Sequence, residues 1–172
     1  EIFAQNYIEE AKKGAKAASI SPPDGRSFCE CERCKAMDVQ GYVEPSNGAL
    51  CMSDRYVAFF DAVARRVKKQ APNFILSFYA YSDYTLPPKN IIKVSDNLCV
   101  WITTIRFCRF HSFSNLNCEA AARYKDVVER WSAMGIKTAC YDYNYNLAEV
   151  TVPISKISYF RDRIPFLKKT GC

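Results

Sequence analysis

The sequence lacks long like-charge runs and long apolar segments, and none of its segments is predicted to be a signal peptide. The formal net charge is +6, but no run of five like charges occurs, and the basic residues are dispersed as pairs. A nucleic-acid-binding domain usually concentrates its charge on one patch, so we expect no nucleic-acid partner. No apolar segment is long enough to cross a bilayer, so we expect no membrane span.

Composition fits one soluble globular domain, with 49% hydrophobic and 24% charged residues among 172. The aromatic content of 14% includes eleven tyrosines, which suit either stacking on flat ligands and sugars or a tyrosine-rich core. The chain begins inside a helical pattern without a methionine and closes where another strand would begin. We therefore expect residues 1–172 to be a single α/β domain from a larger protein.

Amphipathic helical patterns alternate with short apolar runs along the chain. The predicted strands are 17–21, 74–81, 98–105 and 136–143, and their continuous apolar character predicts burial on both faces. Ser53 and Asn117 are predicted helix N-caps, and Pro165 is predicted to split the last helix into two. The order α-β-α-β-β-α-β-α predicts about four parallel strands with flanking helices, as in a partial (β/α)8 TIM barrel.

A cysteine-rich loop insertion is predicted at residues 22–52, where Cys29, Cys31 and Cys34 form C-x-C-x-x-C. Zn²⁺ takes four nitrogen or sulfur ligands, and "CRFH" offers Cys108 and His111 on another loop that leaves the same face of the sheet. We expect Cys29, Cys31 and Cys34 to bind a structural zinc ion that both loops share, with Cys108 or His111 as the fourth ligand. Disulfides or free thiols are the alternatives, although nine cysteines argue against a complete disulfide framework.

Function in parallel α/β proteins collects at the carboxyl ends of the strands. Asp24 and Asp142 are the predicted catalytic carboxylates, although Asp24 also fits the ordinary turn role of P-D-G. If both are catalytic, a separation of about 5–5.5 Å predicts a retaining mechanism and about 6.5–9.5 Å an inverting one. Predicted substrate-binding residues at the same ends are Tyr81, Asp83, Arg106, His111, Tyr141 and Tyr143. The alternative is that these loops are simply polar.

Four segments carry a family resemblance: "SISPPDGRSFCECERCKAMD", "SDRYVAFFDAVARRVKKQAPNFILSFYAYSDYTLPPKNI", "CRFH" and "YDYNYN". From about residue 17 onward the chain resembles an uncharacterised bacterial domain family of the glycoside-hydrolase TIM-barrel superfamily. That family occurs in large proteins with α-glucuronidase- or hexosaminidase-like modules. The resemblance implies a partial barrel completed by the rest of the parent polypeptide, and a secreted or cell-envelope setting.

Three functions follow as hypotheses. The first is a glycoside-hydrolase-like domain that acts on or binds polysaccharide or glycoconjugate. The second is a non-catalytic glycan-binding or scaffold module stiffened by its cysteine loop, which predicts an aromatic rim without a convergent carboxylate pair. The third, a zinc-containing nucleic-acid module, predicts one contiguous basic face and is disfavoured by the scattered lysines and arginines.

Overall fold

Parallel strands separated by helices make up the computed structural model, which describes residues 1–91, 93–144 and 155–172. The helices are α1 (Ile2–Lys12), α2 (Glu32–Lys35), α3 (Ser53–Gln70), α4 (Glu119–Ala133) and α5 (Ile157–Lys169). The strands are β1 (Ala17–Ser19), β2 (Ile75–Ala80), β3 (Leu98–Thr103) and β4 (Lys137–Tyr141). A 3-10 turn, Ser82–Tyr84, follows β2. The predicted α/β class and element order are confirmed, with α2 as an addition inside the long loop.

The sheet has the strand order β1-β2-β3-β4, and every pairing is parallel. Ser77 of β2 lies opposite Ser19 and Cys99, and Trp101 of β3 lies opposite Tyr79 and Ala139. Sequential parallel strands bring their carboxyl ends to one edge, where the loops with the candidate functional residues begin. Within the described ranges the sheet is open and does not close on itself.

One face of the sheet is covered by α3 and α4. Phe78 of β2 packs on Phe60 of α3, with ring centroids 4.7 Å apart, and on Trp131 of α4 at 5.8 Å. Both helices therefore lie on the same side of the sheet. The strand residues of this face are nearly inaccessible to solvent: Leu76, Phe78, Leu98, Val100 and Ile102. Burying such side chains contributes about 1.5–3 kcal/mol each, so this layer is the core that holds the site in place.

The opposite face is not buried, which corrects the prediction that both faces are. Tyr79, Trp101 and Tyr141 retain 37%, 38% and 43% of their accessible surface. Successive side chains of a strand point to opposite faces, and along β2 the open-face residues Ile75, Ser77 and Tyr79 are all at least partly exposed. The apolar runs concealed this alternation because tyrosine and tryptophan count as hydrophobic residues on either face.

Three predicted details at helix ends differ in the structure. Ser53 is the first residue of α3, and its hydroxyl donates to the Leu86 carbonyl instead of capping the helix. Cys118, not Asn117, precedes α4. Pro165 lies within one continuous α5. Proline removes a single N–H donor, and Pro165 is exposed, so water can satisfy the carbonyl that is left without that donor.

The cysteine-rich segment 22–52 folds back onto the helical layer. Arg55 of α3 binds both carboxylate oxygens of Asp38 and donates to the Cys29 carbonyl at 2.6 Å. Tyr42 is buried, and its hydroxyl donates to the Pro87 carbonyl at 2.7 Å. The predicted loop is therefore tied down at several points. None of the helices in the described ranges is long and apolar enough to cross a membrane.

Candidate functional site

A pocket of about 180 Å³ lies at the carboxyl edge of the sheet. All four strands or the segments just after them contribute to its lining, which consists of Asp24, Tyr79, Tyr81, Thr103, Tyr141 and Tyr143. The structure thus brings together four residues that the sequence singled out as catalytic or substrate-binding: Asp24, Tyr81, Tyr141 and Tyr143. We call this the tyrosine pocket.

The alternation of side chains along the strands places the rings of the tyrosine pocket on one face of the sheet. Tyr79 and Tyr141 belong to the open face, and their rings meet edge to face with centroids 5.2 Å apart. The ring of Tyr141 also contacts that of Tyr143 at 5.3 Å. Thr103 is the last residue of β3, the strand between those of Tyr79 and Tyr141, and it lies directly opposite Tyr141 in the register. Its hydroxyl donates to the Ala80 carbonyl at 2.8 Å. Aromatic faces and polar tips therefore line the same small space.

The phenol of Tyr143 stays protonated at neutral pH. Its pKa is raised above the ordinary value mainly by burial, and further by Tyr81, Tyr141, Tyr79 and Asp24. These groups raise the pKa of Tyr143 because they lie close to its phenol. A protonated phenol can both donate and accept hydrogen bonds, as a sugar hydroxyl requires.

Asp24 supplies the carboxylate of the tyrosine pocket. It lies in an exposed bend after β1, followed by Gly25 with φ of +138°, a conformation that favours glycine. The turn role expected from P-D-G is therefore compatible with its place in the pocket. Among the described residues its carboxylate has no hydrogen-bond or ion-pair partner. An uncommitted carboxylate beside aromatic rings is available to a ligand.

Asp142 is committed to a different network, on the helical side of the sheet. It lies between Tyr141 and Tyr143, and alternation places it on the opposite face from both. Its carboxylate accepts from Thr104 Oγ1 at 2.7 Å and from the Tyr159 hydroxyl at 3.1 Å, and it pairs with Arg163 at 3.4 Å. It is not among the residues that line the tyrosine pocket. The proposed pairing of Asp24 with Asp142 stays a prediction.

Asp83 and Arg106 tie three loops together beside the tyrosine pocket. Asp83 is 1% exposed and accepts from Arg26 Nε at 2.8 Å and from Asn47 Nδ2 at 3.1 Å. Arg106 Nη2 lies 3.7 Å from Asp83 Oδ1, the oxygen that also accepts from Asn47. Ser82, with φ of +53°, carries the chain from Tyr81 into this junction. Both predicted substrate-binding residues thus make contacts that position the cysteine-rich loop.

The three cysteines of C-x-C-x-x-C form a compact group, with sulfur atoms within 4.8 Å of one another. Hydrogen bonds, first from the Cys34 backbone N–H and then from the other two thiols, lower the pKa of Cys31 to about 7. The same thiol contacts raise the pKa of Cys34 to about 11. The group can hold a metal ion, and sulfur ligands suit zinc.

A second group lies on the loop between β3 and α4. Ligand atoms of Cys108, His111 and Cys118 also lie within 4.8 Å of one another. The sequence led us to expect one site shared by both loops. The structure instead gives each loop a three-residue group of its own. His111 is exposed and belongs to this group rather than to the lining of the tyrosine pocket.

The predicted catalytic and substrate-binding residues did not include Tyr79, Thr103 or Arg163. Strand alternation would have identified Tyr79, which lies two residues before Tyr81 and so shares its face. Arg163 had no comparable signal, because arginine in an amphipathic helix is ordinarily solvated. In the structure it is 2% exposed, and its guanidinium lies 4.0 Å from the ring centroid of Tyr159.

A larger groove of about 600 Å³ lies between α1 and α3, lined by residues such as Gln5, Arg66 and Gln70. It contains none of the residues at the carboxyl ends of the strands. We place the functional site in the tyrosine pocket because parallel α/β sheets bind their ligands at that edge.

The fold and the pocket together define an α/β protein with an acidic, aromatic site at the carboxyl edge of a parallel sheet. The chain belongs to the family described as a domain of unknown function, DUF4838, whose model matches residues 2–172. The expected membership in an uncharacterised domain family is thereby confirmed. No curated protein and no solved structure matches the chain.

Proposed function

We propose that this chain is part of a glycoside-hydrolase-like (β/α)8 barrel that acts on or binds polysaccharide or glycoconjugate. The tyrosine pocket carries the proposal, because it combines aromatic rings, phenolic hydroxyls and one uncommitted carboxylate at the edge where barrels hold their substrates. Aromatic faces pack on the apolar faces of sugar rings, and carboxylates do the acid–base and nucleophilic work of glycoside hydrolysis.

Three features support the barrel. The strands are parallel and follow one another in chain order, so right-handed crossovers would put every connection on one side of the sheet. Phe78 contacts both α3 and α4, which places these two helices on that one side. The aromatic residues Tyr79, Trp101 and Tyr141 on the other side would then face the barrel interior, which the rest of the parent polypeptide would complete.

The pocket volume of about 180 Å³ is consistent with an incomplete site. Ligand pockets commonly enclose about 300–1,000 Å³, so further strands and loops would have to supply the remaining walls. The proposed setting, taken from the family resemblance, is a secreted or cell-envelope glycan-degrading protein of a bacterium.

In this proposal Asp24 is the carboxylate that contacts the sugar. Asp142 is the second proposed catalytic carboxylate, and it would have to exchange its contacts with Tyr159 and Arg163 for contacts with substrate. A structural zinc at Cys29, Cys31 and Cys34 would fix the loop that carries Asp24 into the pocket.

A non-catalytic glycan-binding module is the second candidate. One observation favours it: of the two expected carboxylates, Asp24 lines the pocket, whereas Asp142 takes part in a network with α5. Such a module would keep the aromatic rim but would not cleave glycosidic bonds.

The test is a screen of the full-length parent protein against chromogenic glycosides, together with a glycan-binding array. On a cleaved substrate, we expect Asp24→Asn to lower kcat by about 10²–10⁴-fold while binding persists, as loss of acid–base catalysis would. Asp96→Asn is the matched control, because Asp96 is exposed and, in the part of the chain that the structure describes, its ion-pair partner is Lys68.

Tyr81→Ala should weaken glycan binding by about tenfold or more, whereas Tyr81→Phe should retain most of it if ring stacking dominates. Binding that depends on Tyr81 without turnover of any glycoside would support the non-catalytic module. If binding and turnover both persist unchanged in the Asp24 and Tyr81 variants, the tyrosine pocket is not the glycan site.

A further inference from the structure

The loop between β3 and α4, residues 104–118, has its own set of potential metal ligands. Cys108, His111 and Cys118 approach one another within 4.8 Å although the loop contains no helix or strand. Loops of this length without regular structure are uncommon in compact domains, and ordered ones usually have a function.

The distance between two of the ligand atoms is close to that in a metal site. Cys108 Sγ lies 3.4 Å from His111 Nδ1. Tetrahedral zinc with a sulfur at about 2.3 Å and a nitrogen at about 2.0–2.1 Å separates those two atoms by about 3.6 Å. The loop therefore already holds these two atoms close to the spacing that coordination requires.

Two backbone N–H groups point at the sulfur of Cys108. The N–H groups of Phe110 and His111 both point at Cys108 Sγ, at 3.4 and 3.3 Å. Backbone N–H groups that point at a sulfur hold it in a fixed orientation, as the outer contacts of metal ligands do.

Cys118 occupies a position that ordinarily has another use. It is the N-cap residue of α4, where serine, threonine, aspartate or asparagine usually caps the first turn. Its side chain makes no capping hydrogen bond. Its sulfur lies instead near the ligand atoms of Cys108 and His111. Cys118 therefore contributes to this group and does not cap the helix.

The loop is also anchored independently of any ion. Lys156 Nζ donates to the Arg109 carbonyl at 2.8 Å, and Ser112 donates to Asp162 of α5. These contacts hold the backbone on both sides of His111, so the ligands are already positioned before a metal arrives. Preorganisation of this kind lowers the cost of binding.

We propose that Cys108, His111 and Cys118 bind a zinc ion of their own, separate from any ion at Cys29, Cys31 and Cys34. Its donor set is two sulfurs and one nitrogen, whereas that of the cysteine-rich loop is three sulfurs. The fourth position is left to water or an exogenous ligand. The ion would staple the β3–α4 loop to the start of α4.

The experiment is metal analysis of the full chain, purified with a reductant and dialysed after zinc loading. We expect two zinc ions per chain in the unmodified protein. Cys118→Ala and His111→Ala should each retain one, and so should Cys31→Ala, which affects only the other group. Cys99→Ala is the matched control and should retain two, because Cys99 belongs to neither group.

Several outcomes would overturn the proposal. One is a single zinc per chain that persists in Cys118→Ala and His111→Ala and is lost in Cys31→Ala, and another is two zinc ions that persist in both Cys118→Ala and His111→Ala. A third is a Cys108–Cys118 disulfide in protein purified without reductant, detected as a mass lower by two hydrogens. This result would overturn the proposal if the loop also takes up no zinc after reduction.

A second readout covers variants that fail to fold. Titration of the unmodified protein with Co²⁺ should increase the sulfur-to-metal charge-transfer absorbance up to two equivalents, with a smaller increment per ion for the site that has fewer sulfurs. Saturation at one equivalent, with that binding lost in Cys31→Ala and kept in His111→Ala, would contradict the proposal.

Discussion

The two faces of the sheet come from the same strands but differ in their exposure to solvent. On one face Phe78 is 2% exposed and lies under α3 and α4; on the other its neighbour Tyr79 is 37% exposed and lines the tyrosine pocket. The covered face makes the core, and the open face presents the chemistry. A single step along the chain therefore separates a residue needed for stability from one available for binding.

The same alternation explains the contrast between the candidate acids. Tyr141 and Tyr143 contribute to the open face, and Asp142 between them is drawn into the helical layer by Tyr159 and Arg163. Proximity in sequence to two pocket residues thus does not bring a carboxylate into the pocket.

The largest expected effect contrasts Phe78→Ala with Tyr79→Ala. Loss of the buried ring should lower the free energy of unfolding by about 3–5 kcal/mol, because a cavity opens between α3, α4 and the sheet. Loss of the half-exposed neighbour should cost about 1 kcal/mol or less. Urea denaturation measures both. Equal losses would show that the two faces do not differ as described.

The next effect concerns Arg163, which pairs with Asp142 beneath the sheet. Arg163→Met should lower the free energy of unfolding by about 3 kcal/mol, because it leaves a mostly buried carboxylate without its cation. Arg161→Met, at an exposed position on the same helix, should change it by about 0.5 kcal/mol at most. Adding Asp142→Asn to Arg163→Met should recover part of the loss; a further loss would contradict the charge explanation.

A smaller effect is expected at Asp83, which joins the cysteine-rich loop to the sheet edge. Asp83→Asn should cost about 1–3 kcal/mol, since Arg26 and Arg106 lose a buried partner. The segment 22–52 should also become more susceptible to limited proteolysis. Asp96→Asn, at an exposed ion pair, should leave both measurements nearly unchanged. If the rate of proteolysis of this segment is unchanged in Asp83→Asn, Asp83 does not anchor the cysteine-rich loop.

The smallest effect on stability is expected for Trp101→Ser on the open face. Trp101 is 38% exposed, so the free energy of unfolding should change by about 1 kcal/mol or less. Val100→Ser, one residue away on the covered face, should cost several times more. Thermal or urea unfolding of the pair tests the comparison within β3.

Much of the fold could be predicted because hydrophobic periodicity is a local property. The order of helices and strands follows from it, as does the parallel arrangement, since helices connect most of the strands. Residues at strand ends could also be predicted as neighbours: Asp24, Tyr81, Tyr141 and Tyr143 come from three separate strand ends and meet in one pocket.

Other features depended on which groups satisfy one another in three dimensions. Pro165 was predicted to divide the last helix, but an exposed helix position tolerates the missing donor. Ser53 was predicted to cap α3, but the Leu86 carbonyl is a competing acceptor that no local pattern reveals. The division of the thiols into two groups depended on the path of each loop.

The sequence by itself determined the α/β class, the strand order along the chain and the polar, aromatic character of the carboxyl edge, because these rest on periodicity and residue type. Only the tertiary structure decided which face of the sheet stays open, which thiols meet, and that Asp24 lines the pocket while Asp142 binds Arg163. Those outcomes depend on contacts between residues far apart in the chain, where hydrogen bonding and burial select one partner among several chemically equivalent ones.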